Sequence, residues 1–270
     1  IMNKTGIALA IALAMGAGAA SAAVVNGVAF AGGAYFQVGD VYEGSLGSDG
    51  TAAILAPGEI LAGVGRIDNL KDSQGNVTWS RGQNGVFLSY WFDGYKTQAI
   101  NSAVPATPPF NVLFSGGSIH FYTSATEFIP TGSFAADKAT ISAGNLWVDA
   151  TGATTRLCTA ADNCVDGVGT PIALDSFILS GSLGSIGSGA GNGLLNFTGG
   201  PAQLYLDTNA FPGGSDAALG SSFNSGSATA GYAASGSIDI RGVALPEPAT
   251  LSVMGLALLG MAGIRRRKAA

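Results

Sequence analysis

The chain is 270 residues long, carries 42 glycines, has only 11% charged residues and bears a formal net charge of −5. Its 13 Phe, 7 Tyr and 3 Trp supply enough bulk for a buried core, so the glycine content reads as glycine-rich turns in a folded domain and not as low complexity. Once its basic ends are set aside the body keeps Arg66, Lys71, Arg81, Lys96, Lys138, Arg156 and Arg241 against a larger acidic set, which excludes a nucleic-acid partner and an anionic membrane surface as docking sites.

Residues 1–22 have the form of a secretory signal peptide. Lys4 supplies the positive charge and the stretch 6–18 is apolar and alanine-rich. Ala20-Ser21-Ala22 makes a small-residue cleavage site, with Ala23 the expected first residue after signal peptidase has acted. An N-terminal anchor is the alternative, but the apolar run is short and ends in small residues.

The body, 23–244, shows no convincing helical period. Short apolar or alternating runs are separated by Gly, Asn, Asp, Ser and Pro, which is the signature of strands. Candidates in chain order are 59–67, 77–79, 86–92 (VFLSYWF), 110–114, 118–123, 146–148, 172–179, 194–197, 202–207 and 237–241. Gln74-Gly75-Asn76 suits a hairpin turn. The stretch 103–109 reads as a proline-rich loop and 180–193 as a flexible Gly/Ser loop. This pattern predicts an all-β domain, an antiparallel sandwich of jelly-roll or Greek-key type. Phe114, Gly116, Gly117, Tyr122 and Phe128 recur at constant offset as Phe197, Gly199, Gly200, Tyr205 and Phe211, which a duplicated unit or chance would explain.

Cys158 and Cys164 are the only cysteines, and in an exported protein they are expected to form a disulfide. A redox pair would favour closer spacing, and zinc would need two more soft ligands. Residues 162–167 resemble the start of a calcium loop but put Cys164 at the third position and Ala173 where a bidentate Glu belongs, so turn chemistry explains them better. Asp207 and Asp216 lack any metal-demanding spacing. No metal or cofactor is expected. His120, the single histidine, alternates with Tyr122 on a strand, and no G-x-S-x-G elbow accompanies it. Glu43, Glu59 and Glu127 are the glutamates of the body, and nothing in the pattern prefers one. Trp79, Tyr90, Trp91, Tyr122 and Tyr205 could form a sugar-stacking surface, although a core of this size needs most of them.

The C-terminal stretch 245–270 carries Pro246-Glu247-Pro248, an uncharged apolar run over 249–264, and the basic cluster Arg265, Arg266, Arg267 and Lys268. The run spans about 24 Å as a helix, at about 1.5 Å per residue, just short of a comfortable membrane crossing. The basic cluster would stay cytoplasmic, leaving the body on the other side. This order of triplet, apolar helix and arginines resembles the PEP-CTERM sorting signal of Gram-negative bacteria. The resemblance implies transient anchoring in the inner membrane, cutting near the triplet by an exosortase-type membrane protease, and release to the cell surface or extracellular matrix. The segments 193–211 (GLLNFTGGPAQLYLDTNAF) and 236–242 (GSIDIRG) are loosely similar to PEP-CTERM proteins linked to flocculation. The expected function is therefore non-enzymatic: a structural or adhesive role in exopolysaccharide, biofilm or floc formation, by contact with polysaccharide or with further copies of the chain. A carbohydrate-binding module is the alternative, and a secreted hydrolase stands third.

Overall fold

Residues whose side chains alternate between apolar and polar fold as strands because one sheet face is buried and the other is wet. The computed structural model describes residues 23–101, 108–182, 185–225 and 231–245. A short hairpin of β1 (Ala23–Val25) and β2 (Val28–Phe30) leads into β3 (Gly33–Ser45). Next come β4 (Ile60–Asp72), β5 (Val77–Ser80), β6 (Phe87–Asn101), β7 (Phe110–Ser124) and β8 (Asn145–Ala153). The two-residue pieces β9 (Arg156–Leu157) and β10 (Pro171–Ile172) precede β11 (Leu174–Ser182), β12 (Ser185–Gly199), β13 (Ala217–Asn224) and β14 (Ala234–Ala244). Helix α1 (Phe134–Ser142) joins β7 to β8, and α2 (Gln203–Leu206) follows β12.

The main sheet closes on itself. Going round it, β3, β4, β6, β7, β8, β12, β13 and β14 each pair antiparallel with the next, and β14 pairs back onto β3. The architecture is an up-and-down barrel, which corrects the expectation of a jelly-roll or Greek-key sandwich: apart from the β14–β3 closure and the stave shared by β8 and β11, wall strands pair with the wall strand next in sequence. One stave is built in two pieces. Ala153, the last residue of β8, lies opposite Leu194, and Leu174, the first of β11, lies opposite Gly193. The segment 154–173 thus leaves and re-enters the wall between adjacent register positions.

Alternation defines an inner and an outer face but does not say whether a sheet splits into two layers or closes. Closure here comes from bulges and from inward glycines that let the sheet coil. Register shifts occur at Val38/Gly39, Leu61/Gly63, Thr97/Ala99 and Phe121/Tyr122. The rings of Phe92, Tyr90, Phe223 and Tyr35 occupy the space that a Cβ would need at Gly63, Gly65, Gly189 and Gly242. Aromatic rings laid over glycines fill the barrel without crowding it.

The barrel has a base and a mouth. At the base, Gly33 of β3 faces Ala244 of β14. The β1–β2 hairpin and α2 plug this end: Phe30 meets Trp147 and Tyr205 edge-on at 6.1 and 5.7 Å, and Trp147 Nε1 donates to the Val25 carbonyl at 3.2 Å. Helix α1, which the sequence reading missed, begins where Ser133 Oγ accepts from Ala136 N, and lays Phe134 and Ile141 on the outer face against Ala62, Val64 and Trp91. With two large apolar residues in nine it has too little periodicity to be read from sequence.

Two more expectations are corrected. Residues 203–206 form α2 instead of a strand, because Gly199-Gly200 ends β12 and turns the chain across the base, so the two halves of the Phe-Gly-Gly echo are not structurally equivalent. Residues 187–193 are not a flexible loop but part of β12, held by pairing on both sides. The signal-peptide residues, including Ala20 and Ala22, the triplet Pro246, Glu247 and Pro248, the apolar run and the cluster from Arg265 to Lys268 lie outside the described residues, as does most of the proline-rich loop. Among the described residues no helix is long and apolar enough to cross a membrane.

Candidate functional site

At the mouth, β3, β4, β7, β11, β13 and β14 converge on residues of unequal size. Leu61, Phe114, Ile178 and Phe223 project inward, whereas Gly44, Ala53, Ser176 and Ala234 are too small to fill the space between them. A pocket of about 460 Å³, counted out to its opening, is the result. Its walls are apolar except for Ser176 and one carboxyl, Glu43.

Glu43 faces inward because it keeps the alternation of Val41 along β3, and its cross-strand partners are Gly63 and Ala234. Neither can offer a side-chain donor. Among the described residues no hydrogen bond or ion pair reaches the Glu43 carboxyl, and removal from water pushes its pKa up to about 7. Tyr90 lies close by. Its hydroxyl donates to the Asp40 carbonyl at 2.7 Å, and burial together with the Glu43 charge holds it protonated far into the alkaline range. The other two glutamates have partners: Glu59 accepts from Leu55 N and Ala56 N, and Glu127 lies 3.6–3.8 Å from Arg81 and Arg66.

The outer face carries a second polar cluster. His120 Nδ1 lies 2.6 Å from Asp149 Oδ1 and its Nε2 lies 2.9 Å from Ser118 Oγ. Register explains the grouping: Ser118 and His120 share the outer face of β7, and Asp149 of β8 is directly opposite His120. The imidazole also stacks on Trp91 at 4.0 Å, whose other neighbours are Lys138 Nζ at 3.8 Å and Ser142 Oγ, which accepts from Trp91 Nε1 at 2.9 Å. The order Ser–His–Asp is that of an acyl-transfer relay. However, residues 118–121 pair with β6 on one side and β8 on the other, so their N–H groups lie in the sheet plane and do not converge above Ser118 Oγ. An oxyanion hole needs such donors aimed at the reacting carbonyl.

Cys158 and Cys164 are joined by a disulfide within the 154–173 excursion. Asp162 sits in the closed loop and is clamped by Arg156 at 2.7 and 3.0 Å and by Thr159 N at 2.8 Å, which holds its carboxyl far below the usual range. Asp166 is taken by Lys96 at 2.6 Å and by Gln98, and its pKa is lowered as a result. These turn carboxylates are thus spent on cations of the chain itself. Asp216 is 2% exposed and accepts from the backbone N–H groups of Phe197, Thr208 and Asn209. It is a buried loop organiser and not a solvated turn residue. Of the candidate sugar-stacking aromatics, Trp79 and Tyr90 are 0% exposed in the core, Trp91 is 8% exposed and covered on the outer face by α1 and His120, and Tyr122 and Tyr205 are half-buried.

Glu43 was thus one of three equivalent glutamates in the sequence and became distinct only in the fold. A signal did exist: Tyr35, Gln37, Gly39, Val41 and Glu43 alternate, but a glutamine, a glycine and a glutamate among the inward positions hid the strand.

Taken together, the described residues define a closed up-and-down β-barrel protein whose last strand runs directly into the segment that begins at Pro246. That segment carries a sorting signal: the family model for the PEP-CTERM protein-sorting motif matches residues 244–268. The motif implies export, transient membrane anchoring and processing by exosortase, a membrane protein. No curated protein and no solved structure matches the chain.

Proposed function

We propose that this chain is a non-enzymatic protein of the cell surface or extracellular matrix, with a structural or adhesive role in exopolysaccharide, biofilm or floc formation. The observation that carries this reading is the sorting motif, whose match begins at Ala244, the last residue of the final barrel strand. The outer faces of β13 and β14 support it: hydroxyls such as Ser222 and Ser237, 2.8 Å apart, offer polar contact without a deep cleft. Weak contacts of this kind hold a polymer when many copies act together.

Intact-mass analysis of surface and medium fractions tests the route, and retention of polysaccharide by cells lacking the protein tests the role. The expected result is a species ending near Pro248 and a loss of bound polysaccharide in the deletion strain. Full-length chain held in the membrane, or unchanged polysaccharide retention, would overturn the proposal. A secreted hydrolase is the second reading, favoured by the Ser118–His120–Asp149 order and weakened by the pairing that holds the N–H groups of 118–121 in the sheet.

A further inference from the structure

At the barrel mouth a half-buried carboxyl, Glu43, which no described residue pairs, lines an apolar cavity. Water centres could occupy about 50 Å³ of the mouth pocket, several times the roughly 10–15 Å³ that one water needs. That space suits a short chain or a single ring, not a lipid. Its lining is almost wholly apolar, and a carboxyl without a partner projects from β3 into it. Glu43 is half-buried, so water in the pocket can solvate its carboxyl in the empty protein, but the apolar walls offer it no cation. The missing partner is therefore sought in a ligand.

We propose that the mouth pocket binds a small hydrocarbon-bodied ammonium ion, an alkylamine or arylalkylamine, with its cation paired to Glu43 and its apolar body against Leu61, Phe114, Ile178 and Phe223. The chemistry follows from the lining. An apolar wall selects the body, and a single carboxylate selects a single cation, since pairing within a low-dielectric cavity restores what the carboxylate lost on leaving water. An anionic ligand would be repelled, and a neutral one would leave the carboxylate unpaired. Tyr90 is the titratable neighbour on β6, and it stays protonated and bonded to Asp40. No other described residue shifts the charge on Glu43. This inference goes beyond the matrix role and does not depend on it.

The test uses exported protein purified from the cell surface and titrated with hexylamine, 1-hexanol and hexanoate, followed by NMR or calorimetry. Hexylamine is expected to bind saturably, at least about tenfold tighter than hexanol, with hexanoate weaker still. Its affinity should rise between pH 5.5 and 8.5 as Glu43 gives up its proton. Glu43→Gln should bring hexylamine down to the level of hexanol, and Ser176→Leu, which fills the pocket while leaving Glu43 in place, should abolish binding of both. Equal binding of amine and alcohol by the native protein would overturn the proposal. So would affinity falling as pH rises, unchanged amine binding by Glu43→Gln, or no saturable binding at all.

Discussion

Replacing Glu43 by glutamine should stabilise the protein, and only at neutral and alkaline pH. The folded carboxyl titrates near 7 against an ordinary value of 4.5. Between these values the native chain keeps a proton that the unfolded chain has released, so stability falls as pH rises through this window, and the whole penalty is present above about 7. A shift of that size corresponds to about 3 kcal/mol. Glutamine has the same shape and no charge, so it escapes the penalty. At pH 4 the native carboxyl and the amide are both neutral, and the two proteins should melt together. At pH 8.5 Glu43→Gln should be more stable by about 3 kcal/mol, which for a domain of this size raises Tm by about 6–12 °C. Calorimetric melts of both proteins across pH 4–8.5 measure the gap directly, and contributions from other titrating groups cancel in the difference. A gap that does not change with pH, or native protein more stable at pH 8.5, would refute the reasoning, because either would mean that the carboxyl has a partner in the fold.

Asp216→Ala should leave three backbone N–H groups without their acceptor, and at about 1–3 kcal/mol per unsatisfied group the urea midpoint should fall by the equivalent of about 3 kcal/mol or more. Cys158→Ala with Cys164→Ala should cost about 2 kcal/mol of loop-closure stabilisation. Because the excursion lies outside the barrel wall, hydrogen exchange should quicken in 154–173 well before global unfolding is affected. Gly65→Ala should lose about 1–3 kcal/mol through overpacking, since the new methyl falls on the Tyr90 ring and on the Asp40 carbonyl, and circular dichroism melts would register it. Ser118→Ala should hydrolyse p-nitrophenyl acetate no more slowly than the native chain, and a large loss of activity would instead support the hydrolase reading.

The strands were largely legible because their alternation is a local property. VFLSYWF supplied the first part of β6, the paired runs 110–114 and 118–123 merged into β7, and Gln74-Gly75-Asn76 turned β4 into β5, with Asp72 accepting from Gln74 N and Asn76 N. What could not be read was how the strands assemble. The return of β14 to β3 joins residues 234–244 to 33–43, a separation at which composition and periodicity carry no information. The glycine-rich part of β12 looked like a flexible loop because the bulk that stabilises it, Phe223, comes from β13. The same dependence on distant residues hid the pocket. Glu43 differs from Glu59 and Glu127 through what stands opposite it, Gly63 and Ala234, and because among the described residues no arginine or loop N–H pairs its carboxyl.

The arrangement of base and mouth gives the sorting segment a structural consequence. Leu245, the last described residue before the triplet, is fastened to the base by its N–H, which donates to the Tyr205 carbonyl at 2.7 Å. The strand that ends there, β14, begins at the mouth with Ala234, which faces Glu43. Ten steps of about 3.3 Å separate Ala234 from Ala244, so the pocket end and the base end of β14 stand about 33 Å apart along the strand. No residue from 246 onward lines the pocket, so loss of the tail would remove none of its walls. Binding at Glu43 and processing at the triplet are therefore independent by geometry. Hexylamine affinity should be the same for the anchored chain and the released one, and a difference between them would mean that the tail reaches the mouth.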